Sequence, residues 1–261
     1  MTLQYHVKVS DGDVAPYVLL PGDPGRVPVV ASRWDEAHEV ARNREYVTYT
    51  GTYRGVPVSC TSTGIGAPST AIAIEELARV GARTFLRIGT AGTFRDDVAL
   101  GDIAIMDSAM RMDGASALYA PLEYPAVAHH EVVDAAIEAT DAAGLHAHVG
   151  TTCTTDLFYV PRAGSAYGGY ELSTWRETYE DMRRMNVLAI EMEASVILTL
   201  GRIWGLRAGA LAVVTDAIFA AEAQGAFDPQ SSFDAGAANI ERLVRAGCET
   251  IRVLAERDGG G

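Results

Sequence analysis

Apolar runs rich in β-branched residues recur along the chain, and each ends in Gly, Asp or a hydroxyl residue. Several are nearly continuous rather than alternating, which is typical of strands covered on both faces. Between them, apolar residues recur at the spacing of a helix. The predicted strands are Tyr17–Leu20, Val56–Thr61, Thr84–Ile88, Ile103–Met106 and Ala210–Val214, and the predicted helices are Pro68–Val80, Glu191–Trp204 and a C-terminal helix through residues 240–254.

The alternation of strands and helices predicts an α/β layer fold with a central sheet. No internal repeat or low-complexity linker divides the 261 residues, so we expect one domain over residues 1–261. The segment Arg162–Tyr170 is polar and rich in Gly and Tyr, which is typical of a functional loop or flap.

The composition excludes several classes of protein. A net charge of −13 repels a nucleic-acid backbone, so no nucleic-acid partner is expected. No window approaches the roughly 18 consecutive apolar residues of a membrane span, and Met1–Ser10 has no apolar signal core, so we expect a cytoplasmic protein with no membrane partner. Cys60, Cys153 and Cys248 are isolated and odd in number, which argues against a disulfide framework and a Cys-ligated zinc site.

Anion binding in this chain depends on arginine, because Lys8 is the only lysine. Lys8 follows no glycine-rich loop, which excludes a P-loop, and Schiff-base chemistry would have to use this one N-terminal residue. The other 20 of the 21 basic residues are arginines. The fixed fork of an arginine suits a phosphate or a carboxylate.

Glycine-rich segments follow three of the predicted strands. Gly22–Arg26 by itself is typical of a turn, although Gly22 would let the backbone approach an anion that Arg26 binds. In Arg87–Gly92, an arginine at the mouth of the sheet or in its core needs an anionic partner, and the adjacent small residues favour a phosphate site. Thr63–Ser69 resembles a dinucleotide fingerprint, but its spacing and the lack of a later acidic residue exclude that interpretation.

Three acidic residues adjoin apolar runs. Glu191 and Glu193 follow Val187–Ile190 without a polar loop, so they lie either in the charged first turn of a helix or where a carboxylate accepts both hydroxyls of a sugar diol. Asp216 ends the run Leu211–Thr215, at the strand end where ligands bind in open α/β sheets, and a helix or turn cap is an equal alternative.

The histidines and possible nucleophiles indicate little chemistry. His146 and His148 alternate on a possible strand, and His129 and His130 begin a polar helix, but no third ligand is near either pair in the sequence, which argues against a transition-metal site. No serine lies in a Gly-x-Ser-x-Gly elbow, and the first two cysteines have no adjacent base. Covalent catalysis therefore has no candidate nucleophile.

Eight motifs occur in order between residues 18 and 195: VLLPGDPGRV, NREYVTYTGTYRGVPV, STGIGAPSTAIAIEEL, RIGTAG, MDGAS, APLEYPAV, DLFY and EMEAS. Together they resemble the hexameric nucleoside phosphorylase family, which contains uridine phosphorylase and bacterial-type purine nucleoside phosphorylase. The segment RMDGASALYAPLEYPAVA is more similar to the uridine enzymes. The resemblance implies a single-domain three-layer α/β sandwich around a mixed, partly closed sheet, assembled as a hexamer (a trimer of dimers).

The resemblance also implies a reaction in which inorganic phosphate, the only co-substrate, splits an N-glycosidic bond to give ribose 1-phosphate and a free base. Breaking that bond develops positive charge on the sugar and negative charge on the base, so positioning and electrostatics suffice without a nucleophile. By resemblance, Arg44 and His6 are donated across the dimer interface. The residues that match the phosphate ligands of the family are Gly22, Arg26, Arg44, Arg87 and Thr90. Those that match its ribose ligands are His6, Thr90, Met192 and Glu193, and the predicted base contacts are Phe158, Arg162, Glu191 and Asp216. The predicted catalytic residues are Arg87, Glu193 and Asp216. Glu45, Ile65 and Ser69 match a monovalent-cation site, for K⁺, at the dimer interface.

Departures from the family pattern leave the identity of the preferred base undecided. The uridine enzymes read uracil with a Gln and an Arg that follow the Phe-Tyr dipeptide, and neither stands at its position in Phe158–Gly164, although Arg162 is nearby. Asp216 instead resembles the acid with which the purine enzymes protonate their base, but the helper arginine of those enzymes has no counterpart in Phe219–Gln224. A purine or broad-specificity phosphorylase is therefore the alternative.

Two further alternatives have less support. A hydrolytic nucleosidase of this family would lack the arginine of the GDPGR motif, and Arg26 is present. A non-catalytic nucleoside- or anion-binding protein on the same scaffold would be expected to lose Glu193 or Arg87, and both are present.

Overall fold

In the described part of the chain, ten strands form one mixed sheet, with helices on both of its faces. A computed structural model describes residues 3–163, 166–218 and 229–259, with only the backbone in 162–163, 229–233 and 235–238. The strands are β1 (Tyr17–Leu20), β2 (Glu36–Asn43), β3 (Tyr46–Tyr53), β4 (Val56–Thr61), β5 (Thr84–Thr93), β6 (Ile103–Met112), β7 (Ala126–Val127), β8 (Ala147–Thr155), β9 (Ala189–Glu191) and β10 (Arg207–Ala217). The helices are α1 (Arg26–Ala31), α2 (Ala67–Arg79), α3 (Gly114–Tyr119), α4 (His130–Ala142), α5 (Tyr159–Ala163), α6 (Ser173–Arg184), α7 (Ala194–Ile203) and α8 (Pro229–Gly259), with a 3-10 turn at Tyr167–Gly169.

The sheet is partly closed because β10 pairs with both β6 and β5. The ring runs β5, β9, β8, β6, β10 and back to β5. From β5 the sheet continues outward through β1, β4, β3 and β2, and β7 pairs with β6. β1 is parallel to β4 and to β5, so the carboxyl ends of these three strands lie at one edge.

Helices on the two faces of the sheet give three layers. Along β5, Phe85 packs into the apolar cluster that contains α2 and α7, whereas Leu86 packs into the cluster that contains α1, α4 and α8. Along β10, Ala212 and Val213 divide in the same way. Successive residues of a strand face opposite sides, so a strand covered on both faces has a nearly continuous apolar sequence. The predicted α/β fold with a mixed, partly closed sheet is confirmed.

The starts of the strands agree with the predictions better than their ends do. β1 and β4 have the predicted bounds. β5 and β6 continue beyond the apolar runs, to Thr93 and Met112, and β10 begins at Arg207 and ends at Ala217. These extensions contain Gly and charged residues, which the apolar pattern assigned to loops.

The predicted helix Glu191–Trp204 is wrong at its start, because Ala189–Glu191 is β9 and the helix begins at Ala194. A three-residue strand is too short for its period to be recognised beside a helix. The predicted loop Arg162–Tyr170 contains the end of α5 and the 3-10 turn, and residues 164–165 lie outside the description. Over the described residues, no helix combines the length and the apolar character needed to cross a membrane.

Candidate active site

The carboxyl ends of β1 and β4 place two glycine-rich loops side by side. Thr63 N donates to Pro21 O at 2.9 Å, and Gly64 N donates to Gly22 O at 3.0 Å. A β-carbon at Gly22 would lie 3.2 Å from the carbonyl oxygen of Gly64, so glycine permits this close approach. The first loop leads directly into α1, whose first residue is Arg26.

Arg87 lies within β5, almost fully buried. Its Nη2 is 2.7 Å from Glu193 Oε2, and its Nε is 2.8 Å from Glu191 Oε2, an ion pair without a hydrogen bond at Nε. The guanidinium folds back over Gly89, where a β-carbon would lie 2.6 Å from Arg87 Cζ. The anionic partner that a buried arginine requires is thus a pair of carboxylates of the protein itself.

Glu191 is held by four groups of the protein. Its Oε2 accepts the backbone N–H groups of Glu193 and Ala194, both at 2.8 Å, and also faces Arg87. Its Oε1 accepts the hydroxyl of Thr154 at 2.5 Å. The carboxylate therefore satisfies backbone donors at the amino end of α7, where a negative charge is favourable.

Glu193 joins Arg87 to the amino end of α2. Its Oε1 accepts the N–H of Gly66 at 2.6 Å. Gly66 precedes α2 with a φ of 90°, a conformation that favours glycine. Burial raises the pKa of Glu193, the positive charge of Arg87 opposes that shift, and the negative charge of Glu191 adds to it.

Arg26 is the second guanidinium of the site. It is half-buried, and it forms no ion pair with any carboxylate of the described residues. Burial lowers the pKa of Arg26, the positive charge of Arg87 adds to that shift, and the negative charges of Asp23 and Glu193 oppose it. Arg87 is neutralised by two carboxylates and Arg26 is not, so the arrangement favours an anion beside Arg26.

β10 brings Asp216 beside β5 at a β-bulge, opposite Gly92. A β-carbon at Gly92 would lie 2.7 Å from Asp216 Oδ2, so the carboxylate lies close to this glycine. Thr215 Oγ1 donates to Asp216 Oδ1 at 3.0 Å. Thr90, two residues before Gly92 on β5, is half-buried.

Asp113 of the MDGAS motif is linked to Glu191 through hydrogen bonds, a role that was not predicted. Asp113 accepts the backbone N–H of Ser116 at 2.6 Å and the hydroxyls of Ser116 and Ser195. Ser195 N in turn donates to Thr154 Oγ1 at 2.9 Å, and Thr154 donates to Glu191. A chain of buried hydrogen bonds therefore runs from the loop before α3 to Glu191.

Arg44 lies in a hairpin that contacts the N-terminal segment of His6. Arg44 is exposed in the turn between β2 and β3, with a φ of 54°. Asn43 Nδ2 donates to His6 O at 2.7 Å, which links this hairpin to the N-terminal segment.

Glu76, on the buried face of α2, fixes His6 and was not predicted. Its carboxylate accepts the N–H of Val7 at 2.8 Å and that of His6 at 2.9 Å, and its Oε1 lies 2.8 Å from His6 Nδ1. Ten residues of helix, roughly 15 Å, separate Glu76 from Gly66, so His6 is remote from Glu193 of its own chain. The available signal was an acidic residue on an otherwise apolar helix face.

Glu45, Ile65 and Ser69, the predicted ligands of a monovalent cation, lie close together. Ser69 Oγ donates to Ile65 O at 3.1 Å. A β-carbon at Gly64 would lie 2.8 Å from Glu45 Cγ and 3.3 Å from Ser69 Oγ. Carboxylate, carbonyl and hydroxyl oxygens are ligands for hard cations, so the donor set fits a monovalent ion.

The predicted base contacts lie on separate segments. Phe158 precedes α5, partly exposed, with its ring centroid 5.2 Å from that of Tyr159. Arg162 lies in α5, but its side chain is outside the description, as are residues 219–228. Met192 is half-buried between β9 and α7. Both carboxylate oxygens of Glu191 have partners within the protein, and its contact with a base stays a prediction.

The fold and the site define an α/β protein that brings Arg26, Arg87 and Glu193 together at the carboxyl ends of its parallel strands. The model of the phosphorylase superfamily matches residues 16–247. A uridine phosphorylase from Thermococcus kodakarensis is 46% identical over 256 residues, which cover 98% of this chain and 88% of that protein. The guanosine phosphorylase of Halorubrum lacusprofundi is 37% identical, covering 97% of this chain and 100% of that protein. The uridine phosphorylase of Escherichia coli is 40% identical, covering 80% and 84%. This chain belongs to the phosphorylase superfamily, which confirms the family predicted from the motifs.

Proposed function

We propose that this chain is a nucleoside phosphorylase that acts on uridine, with inorganic phosphate as co-substrate and ribose 1-phosphate and uracil as products. The observation that carries the proposal is the pair Arg26 and Arg87 beside the buried Glu193. Two uridine phosphorylases, 46% and 40% identical to the chain, support uridine as the first substrate to test.

The proposed reaction exchanges one bond at the anomeric carbon for another. The bond from carbon 1′ to the base nitrogen breaks with its electron pair on the base, an oxygen of hydrogen phosphate bonds to carbon 1′, and the proton of the hydrogen phosphate ends on the base nitrogen. Arg26 and Arg87, with the Gly22 backbone and Thr90, hold the phosphate next to the developing positive charge of the sugar. Glu193 and Met192 position the ribose. Catalysis then rests on orientation and electrostatic stabilisation, and Glu191 and Glu193 hold Arg87 in place beforehand.

We also propose that the active unit is a homo-oligomer, a hexamer built as a trimer of dimers, in which Arg44 and His6 complete the site of a neighbouring subunit. Two observations support it: Arg44 is exposed at a hairpin tip, and His6 is held by Glu76 away from the Glu193 of its own chain. Mixing inactive Arg44→Ala subunits with inactive Glu193→Ala subunits should restore part of the activity. Failure to do so after demonstrated subunit exchange would contradict shared sites.

The same dimer interface is the place proposed for a monovalent cation, with Glu45, Ile65 and Ser69 as its ligands. The ion would join the hairpin between β2 and β3 to the loop before α2. Replacement of K⁺ by tetramethylammonium should lower the melting temperature of the native protein, and Ser69→Ala should remove that difference. An unchanged melting temperature would exclude the site.

The decisive experiment is phosphate dependence. Uridine cleavage should vanish in phosphate-free buffer and return with phosphate or arsenate. Arg26→Gln removes hydrogen bonds to a charged group, each contributing about 1.5–3 kcal/mol, and should raise the phosphate KM at least about tenfold. Arg33→Gln is the matched control, because Arg33 is exposed just beyond α1 and pairs with Glu241 at 2.9 Å. Undiminished cleavage without phosphate would establish a hydrolytic nucleosidase instead.

A purine or broad-specificity phosphorylase is the second candidate. Two observations favour it: the guanosine phosphorylase aligns over its full length, and Asp216 lies beside Gly92 at the end of β10. Initial rates with uridine, thymidine, inosine, adenosine and guanosine at saturating phosphate decide between the two.

A further inference from the structure

Three potential metal ligands meet where β6 and β8 begin. His146 directly precedes β8, His148 is its second residue, and Asp102 directly precedes β6. The two strands are parallel, with Ile103 opposite Ala147, so Asp102 lies beside the histidines. Asp102 Oδ2 is 3.0 Å from His146 Nδ1 and 2.9 Å from His148 Nε2. The expectation that no third ligand is near this pair is wrong, because the third ligand comes from a neighbouring strand.

The distances suit a first-row transition ion. The three ligand atoms lie within 4.8 Å of one another. Zinc bonds of about 2.0–2.2 Å to nitrogen and oxygen in a tetrahedral site put ligand atoms roughly 3.3–3.5 Å apart. The separations of 2.9 and 3.0 Å therefore need to open by a few tenths of an ångström. The imidazole rings are edge to face, at 89°, so their nitrogens approach from different directions.

The cluster is both accessible and held in place. The His146 side chain is 74% exposed, whereas those of His148 and Asp102 are 15% and 11% exposed. The backbone at Asp102 is fixed because its carbonyl accepts Val214 N at 2.9 Å. Ala99 N also donates to Asp102 Oδ2 at 3.0 Å. Asp102, the ligand that both histidines share, is therefore held in place before an ion binds.

The donor set selects the class of ion. Imidazole favours zinc, copper, nickel and iron over magnesium and calcium. Asp97, an acid of the same loop, is bound by Arg95 Nε at 2.9 Å and is not free to act as a fourth ligand. Among the described residues no fourth ligand joins the cluster, so water completes the coordination.

We propose that Asp102, His146 and His148 bind one divalent transition ion of the zinc class, separate from the site of Arg26 and Arg87. The ion would join the starts of β6 and β8 next to the end of β10. An ion that binds only the folded chain stabilises it in proportion to its saturation. Neither nucleoside nor phosphate takes part, so this proposal stands or fails independently of the proposed reaction.

The test is Zn²⁺ binding to the full chain after removal of metals with a chelator. Calorimetry should give one ion per chain, the melting temperature should rise with Zn²⁺, and Co²⁺ should produce the visible absorption of a four-coordinate nitrogen–oxygen site. His148→Gln and Asp102→Asn should each weaken binding at least about tenfold. His146→Gln gives the same test at a side chain that is 74% exposed. His129→Gln is the matched control, because His129 also has a histidine neighbour and a nearby carboxylate, Glu131, but at 3.7 Å. No binding at micromolar Zn²⁺, or equal binding in the variants and the control, would overturn the proposal.

Discussion

Glu191→Gln separates two roles for a buried carboxylate. In the structure Glu191 accepts two backbone N–H groups and a hydroxyl and faces the Nε of Arg87. Glutamine has nearly the same shape and keeps one oxygen, which can still accept the N–H groups of Glu193 and Ala194. The change therefore removes the negative charge next to Arg87 with little change in packing.

The expected loss of stability follows from the burial of Arg87. Removal of one partner of a buried ion pair costs about 3–5 kcal/mol, and the lower figure applies because Glu193 still pairs with Arg87. An unfolding entropy of about 2.1 cal/mol/K per residue over 261 residues converts a loss of about 3 kcal/mol into a fall in Tm of about 5 °C. A less firmly held Arg87 should also raise the phosphate KM about tenfold, which corresponds to about 1.4 kcal/mol.

Calorimetry and steady-state kinetics with uridine measure both effects. Glu39→Gln is the matched control: Glu39 also pairs with an arginine, Arg42, at 2.7 Å, but at the surface, so its Tm should change by no more than about 1 °C. If Glu191 contacts the base instead, the variant should raise the uridine KM and leave the Tm and the phosphate KM unchanged. That result would refute the assignment of Glu191 to Arg87.

Three other substitutions test neighbouring contacts. Gly89→Ala places a β-carbon 2.6 Å from Arg87 Cζ, so kcat/KM should fall at least about tenfold with the circular dichroism unchanged. An unaffected rate would show that Arg87 can shift without loss of activity. Glu76→Gln loosens His6 and should raise the nucleoside KM several-fold with little change in the phosphate KM; an equal rise in both would indicate a general defect. Asp216→Asn should slow inosine and guanosine cleavage at least about tenfold more than uridine cleavage, because only a purine base has an imidazole nitrogen whose protonation helps it leave. Equal effects on both classes of nucleoside would identify Asp216 as a structural residue.

Local features of the fold were predictable because Gly, Pro and apolar runs act over a few residues. β1, β4 and the start of α2 lie where the apolar runs and the flanking Gly and Pro residues predict them. The carboxyl end of β5 was not predictable, because Gly89 and Gly92 are typical of loops in sequence. In the structure the side chain of Arg87 lies over Gly89 and that of Asp216 lies over Gly92, so both strand positions are occupied by glycine because a β-carbon would clash there. Those contacts exist only once the sheet has formed.

Partners across the chain escaped prediction for the same reason. The need of Arg87 for an anion was clear from its position in an apolar strand, but no spacing rule connects it to Glu191 and Glu193. Glu76 and His6 are 70 residues apart, and Asp102 reaches His146 from 44 residues away. Each pair is joined by the pairing of strands or the docking of a helix, so the residue types were visible and their partners were not.

The charges of the site explain why a second subunit has a place in the proposed reaction. Within one chain Arg26 and Arg87 contribute two positive charges, and Glu191 and Glu193 oppose them with two negative charges. A phosphate anion that enters this group meets one guanidinium that is already neutralised and one that is not. In the transition state of the proposed reaction, phosphate must be held fixed and out of water beside a cationic sugar. A site whose positive and negative charges cancel gives the phosphate little electrostatic stabilisation. In the proposed oligomer one more arginine from a neighbour would shift this balance toward the anion, and Arg44, a charged residue exposed at a hairpin tip, is the residue proposed for that role.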